Sequence, residues 1–166
     1  WSGYQLISQG KDKQELGAGQ HASSESLQRL CIAEHGIRGA AKHAIAHERL
    51  AIIDPESGAQ PLFAAECKQA GIEEGSIIVA ANGEIYNYRE LRIELESNGR
   101  VFLTQSDTEV LLQAWDAWGE AALDKFEGMW AFALLNRDSG ELVLCRDRFG
   151  EKPLYVMETV DGLYSW

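Results

Sequence analysis

The chain has 166 residues, 45% of them apolar and 25% charged, which suits one soluble domain with a sizeable buried core. Its 15 Lys and Arg face 26 Asp and Glu, and the resulting net charge of −11 works against nucleic acid and anionic membrane surfaces as partners. The apolar run from Met129 to Leu135 is far short of the roughly 20 residues of a spanning helix. No signal-peptide pattern opens the sequence, and Cys31, Cys67 and Cys145 form no C-x-x-C pair, so reduced thiols in the cytoplasm are expected rather than a disulfide framework or a zinc site.

In chain order, residues 1–8 read as a short strand. Residues 9–41 are rich in Gln, Ser, Ala, Gly and Lys and read as a variable insert. Its only patterned piece is a weak helix over 23–34, where Leu27, Leu30 and Cys31 share a face before Gly36 and Gly39. Residues 43–47 and 50–54 are compact apolar stretches expected as two strands, closed by Pro55, Ser57 and Gly58. His43 and His47 fall within the first of them and read as structural rather than metal-binding. Cys67 is expected in a loop. Residues 75–81 form another strand, which Asn82-Gly83 would end in a sharp reversal.

Leu91 and Leu95 lie four apart before Gly99, which predicts an amphipathic helix over 87–98 with a glycine cap. Ser106-Asp107-Thr108-Glu109 has the form of a capping box opening a second helix. Its apolar face would hold Val110, Leu111, Ala114, Trp115 and Trp118, and Gly119 would end it before a short helical turn reaching Phe126. Residues 129–136 and 141–146 read as a hairpin about Arg137-Asp138-Ser139-Gly140, and 154–157 and 163–166 as a second pair about Asp161-Gly162. Arg146-Asp147-Arg148 reads as a salt-bridged rim for a domain contact. Strands, then helices, then strands again indicate an α+β fold.

Three polar clusters interrupt these elements: His47-Glu48-Arg49, Asn82-Gly83-Glu84 and Ser106-Asp107. Together they suit a free amino acid. Arg49 offers a bidentate fork for an α-carboxylate, and Glu84 and Asp107 offer acceptors for an α-ammonium group. Asn82 and Gly83 supply a side-chain amide and an unhindered backbone N–H, two donors for an oxygen that becomes negative during acyl transfer. Each residue also has a plainer reading. Arg49 and Asp107 could form a surface ion pair, Asn82-Gly83 a hairpin turn, and Asp107 a helix-dipole partner. Composition and spacing alone end at a candidate amino-acid site.

Read in order, HERLAIIDPESGAQPL (47–62), NGEIYNYRELR (82–92), SDTEVLL (106–112), FEGMWAFALLN (126–136) and RDRFGEKPLY (146–155) resemble the glutaminase half of asparagine synthetases. The resemblance implies an N-terminal-nucleophile hydrolase fold, an αββα sandwich of two antiparallel sheets between helical layers. It assigns the glutamine carboxylate to Arg49 and to the backbone around Leu50, Ile52 and Ile53. The α-amino group falls to Glu84 and Asp107, and the oxyanion hole to Asn82 and Gly83, with no metal. L-Glutamine and a C-terminal synthetase domain are the implied partners, and a homodimer is one assembly open to it. ATP and Mg²⁺ would serve that synthetase domain, whose pyrophosphate loop is absent from residues 1–166.

Trp1-Ser2-Gly3 resembles the sequence just after the family's Arg-His-Arg-Gly-Pro-Asp segment. The resemblance therefore implies a partial type 2 glutamine amidotransferase domain over 1–166 that is incomplete at its N-terminal strand and helix. In this family a cysteine exposed as the first residue attacks the amide, and its own α-amino group, titrating near pH ~8, is the base. Position 1 here is tryptophan and Ser2 matches a non-catalytic position, so the polypeptide as given is expected to be inactive alone and marginally stable. A degenerate glutamine-binding or regulatory module, and an amidotransferase domain serving another acceptor, are the alternatives.

Overall fold

The computed structural model describes residues 2–8, 14–18, 41–48, 53–54, 60–68, 71–160 and 162–165. Nine strands and two α-helices are described: β1 (Ser2–Ser8), β2 (Gln14–Ala18), β3 (Ala41–Glu48), β4 (Leu62–Lys68), β5 (Gly71–Ile85), α1 (Tyr88–Ser97), α2 (Asp107–Trp118), β6 (Gly128–Asn136), β7 (Leu142–Arg146), β8 (Val156–Thr159) and β9 (Gly162–Ser165). A 3₁₀ turn over Gly119–Asp124 follows α2. The strands form an antiparallel sheet ordered β2-β1-β3, a second ordered β4-β5-β6-β7, and the β8-β9 hairpin.

The period-two pattern of β5 and β6 explains how the layers stack. Val79, Ala81 and Ile85 of β5, with Trp130, Phe132 and Leu134 of β6, share a core with Leu91 and Leu95 of α1 and Val110, Leu111 and Ala114 of α2. Residues one step along point the other way: Ala80 and Leu135 meet Ile45 of β3. The four-stranded sheet therefore lies between the helices and the three-stranded sheet. Burying each such leucine stabilises by about 2 kcal/mol. Trp115 meets Phe132 edge to face with ring centroids 5.9 Å apart, which seats α2 on the sheet.

The expected α1 forms with its glycine stop: Gly99 takes φ +84°, and the Arg100 amide donates to the Leu95 carbonyl at 3.0 Å. Helix α2 likewise starts on Ser106, whose hydroxyl accepts the Glu109 amide at 3.2 Å. The capping box is one-sided, however. Glu109 does not return to Ser106; its carboxylate accepts from the amides of Leu103 (2.7 Å) and Thr104 (2.6 Å) and from the Thr104 hydroxyl (2.6 Å).

Several expectations are corrected. Asn82-Gly83 is no reversal: both lie inside β5, opposite Ala131 and Trp130 of β6. Glycine serves there for close approach, because a Cβ at 83 would press on the Met129 carbonyl and lie 2.7 Å from Trp130 Cα. Cys67 is in β4, not in a loop, and part of the supposed insert forms β2 against β1. Ile53 and Asp54 are not in a strand, and residues 50–52 and the expected helix over 23–34 lie outside the described residues. Among the described residues the helices cover one side of the stacked sheets, and none is long and apolar enough to cross a membrane.

Candidate active site

β4 pairs with β5 only as far as Leu62 opposite Val79, so residues 80–85 run on beyond their neighbour on that side. Among the described residues, side chains take over this edge. The Gln60 side chain binds both backbone groups of Ala81: the Ala81 amide donates to Oε1 at 2.7 Å, and Nε2 donates to the Ala81 carbonyl at 3.1 Å. Four residues on, the Ile85 amide donates to Asp107 Oδ2 at 3.0 Å. Strand alternation directs the backbone groups of Gly83 to this same edge, between the two clamps. Asn82 and Glu84 occupy the face that carries Ala80, toward the three-stranded sheet, where Asn82 is exposed and Glu84 half-buried.

Asp107 is the first residue of α2 and is 7% exposed. It is therefore not a surface carboxylate, and Arg49, its expected surface partner, lies outside the described residues. Its Oδ1 accepts the Thr108 amide at 2.9 Å. Burial pushes the carboxyl above its ordinary range, the amides of Ile85 and Thr108 pull it back down, and the neighbouring Glu84 carboxylate pushes it up again. Among the described residues no Lys or Arg forms an ion pair with Glu84 or Asp107. Two neighbouring carboxylates, one buried, make a place where a bound cation such as an ammonium group would relieve both.

The segment that precedes this strand is tied to the same corner. Asp54, at φ +48°, accepts the Gln105 amide on Oδ2 at 2.7 Å, just before α2 begins. Ile53, beside it, is half-buried. The structure thus brings Ile53, Asn82, Gly83, Glu84 and Asp107 to one corner, while Arg49, Leu50 and Ile52 lie outside the described residues. Sequence reasoning overlooked Gln60, Asp54 and Thr108. The step from Gln60 to Pro61 was the only local signal, and it shows an irregular approach to β4 without showing what the side chain grips.

Within Arg146-Asp147-Arg148, expected as a salt-bridged rim, Asp147 serves backbone amides in place of the neighbouring arginines. The Asp147 carboxylate gathers the backbone amides of Phe149 (3.0 Å), Glu151 (2.9 Å), Lys152 (2.9 Å) and Trp130 (3.3 Å). Arg146 donates to the Gly150 and Lys152 carbonyls, and Arg148 pairs with Asp124 at 2.9 Å. Cys145, in β7, is a half-buried thiol that burial pushes upward, which makes it a poor nucleophile.

Comparison with known proteins gives the family and the fold. Residues 8–166 match the family described as the glutamine amidotransferase domain. The asparagine synthetase [glutamine-hydrolyzing] 1 of Bacillus subtilis (strain 168) is 46% identical over 116 residues, covering 70% of this chain and 17% of that protein. The asparagine synthetase [glutamine-hydrolyzing] 2 of Oryza sativa subsp. japonica is 42% identical over 118 residues, covering 71% and 18%. The chain thus spans less than a fifth of the length of these relatives. Among solved structures, the glutamine phosphoribosylpyrophosphate amidotransferase from B. subtilis, complexed with ADP and GMP, superposes with a TM-score of 0.71 at 24% identity, covering 99% of this chain and 34% of that one.

Proposed function

Because this chain belongs to the family of glutamine amidotransferase domains, we propose that its corner between β5 and α2 binds L-glutamine. The pairing of Glu84 with the buried Asp107, one strand step beyond Gly83, carries this reading. The α-ammonium group sits between the two carboxylates. Arg49 takes the α-carboxylate, with backbone from Leu50, Ile52 and Ile53. The side-chain carbonyl is directed to the Asn82 amide and the Gly83 N–H, donors suited to the negative oxygen of a tetrahedral intermediate.

The parent activity in this reading is that of an asparagine synthetase: glutamine yields ammonia here, and a synthetase domain uses it with ATP and Mg²⁺ to amidate aspartate. The identities to two such enzymes support it. The nucleophile is the family's N-terminal cysteine, a role Cys145 cannot fill from within a strand. A free thiol such as Cys145 suits the reducing cytoplasm as the compartment.

Titration calorimetry of the chain with L-glutamine tests the site. Saturable binding that weakens with D-glutamine and disappears with an ammonium-free analogue is the expected result. Absence of saturable L-glutamine binding would remove the proposal.

A further inference from the structure

The Gln60 side chain joins its own segment to β5 and to α2. Its amide matches both backbone groups of Ala81, at 2.7 and 3.1 Å, and so replaces the strand partner that β4 does not provide beyond the Leu62–Val79 pair. Its Nε2 also donates to Thr108 Oγ1 at 3.2 Å, in the first turn of α2 and next to Asp107. Asp107 in turn holds the Ile85 amide. The stretch from Ala81 to Ile85 is thus gripped at both ends by groups that are themselves linked through Thr108, and Asn82, Gly83 and Glu84 lie between the grips.

We propose that Gln60 is a positioning residue for glutamine: it fixes the spacing between the Asn82-Gly83 donors and the Glu84-Asp107 carboxylates without touching the ligand. The proposal rests on the glutamine-binding reading. Its physical basis is that donors must lie within a few tenths of an ångström of the oxygen they serve, and an unpaired strand edge drifts unless both of its backbone groups are held. A side-chain amide suits Ala81 because it donates to a carbonyl and accepts from an N–H at once, which an ionised carboxylate cannot do. A carboxylate in its place would set two acceptors against each other.

The test combines Gln60→Glu with Thr108→Val, which removes only the third bond, and with Ser76→Ala as a reference, since Ser76 bonds to Asp138 far from this corner. L-Glutamine affinity is measured by calorimetry, and the Gly83 amide by its NMR resonance and hydrogen exchange. The expected result is an affinity loss of about tenfold for Gln60→Glu and about threefold for Thr108→Val, each with a displaced Gly83 resonance. Ser76→Ala should alter neither. An unmoved Gly83 resonance in Gln60→Glu overturns the bracing, and a moved resonance with unchanged affinity overturns the positioning role. If Gln60→Glu does not fold, Thr108→Val decides on the same two readouts. Should the unaltered chain bind no glutamine, the functional reading fails, while the Gly83 resonance still judges the brace.

Discussion

Asp107 accepts the Ile85 backbone amide at 3.0 Å, so the first residue of α2 is fastened to the strand that carries Asn82, Gly83 and Glu84. A residue that would otherwise only complement a helix dipole becomes the meeting point of two elements. The stability of this junction and its binding chemistry pull in opposite directions.

Burial raises the Asp107 carboxyl in the folded protein, so the native state holds this proton more readily than the unfolded chain does. In the window between the ordinary carboxylate value near ~3.9 and the raised native one, this group's contribution to stability falls as pH rises. Asp107→Asn keeps an acceptor for Ile85 and removes the charge. The variant is expected to melt no lower than the unaltered chain at neutral pH, yet to bind L-glutamine about tenfold or more weakly. Melting curves across pH, paired with calorimetry, check both halves.

Gly83→Ala places a methyl group against the Met129 carbonyl and Trp130 Cα, both main-chain atoms that cannot swing aside. The β5 and β6 strands must separate at this point. A loss of about 3 kcal/mol in urea unfolding is expected. A loss near zero would show that the strands stand further apart.

Glu109 is 1% exposed and satisfies the amides of Leu103 and Thr104 together with the Thr104 hydroxyl. Glu109→Ala leaves these donors without their acceptor, the two of Thr104 in buried surroundings. The expected cost is about 3 kcal/mol, larger than the roughly 1 kcal/mol expected for losing the Ser106 cap in Ser106→Ala. Equal effects in chemical denaturation would mean that the loop before α2 finds other partners.

Asp147 is held at about 2, first by the Lys152 amide, against the opposing effect of burial, and further by the amides of Glu151, Trp130 and Phe149. Its stabilisation is therefore complete above the unfolded carboxylate value near ~3.9 and disappears as pH falls toward its native one. Asp147→Ala is expected to lower Tm by about 5 °C at neutral pH and to flatten acid unfolding in that window, with L-glutamine affinity unchanged. A weakened affinity would connect this loop to the binding corner.

Much of this protein is determined locally. Leu91, Leu95 and Gly99 specify α1 and its stop, Ser106 starts α2, and the alternation along 129–136 and 141–146 forms the β6-β7 hairpin, because each depends on contacts within a turn or across one reversal. The residue types at 82–84 and 107 likewise indicate amino-acid chemistry without a structure. Tertiary structure decided what those residues do. Asn82-Gly83 has the local signature of a turn, and only the close approach of β6 holds it extended. Glu109 was expected to reach one residue and reaches others, and Asp147 takes backbone amides in place of arginines. Beyond the proline that follows it, Gln60 gave no sign of what it grips, because its role is set by where β4 stops pairing, a property of two strands in register and not of any one stretch of chain.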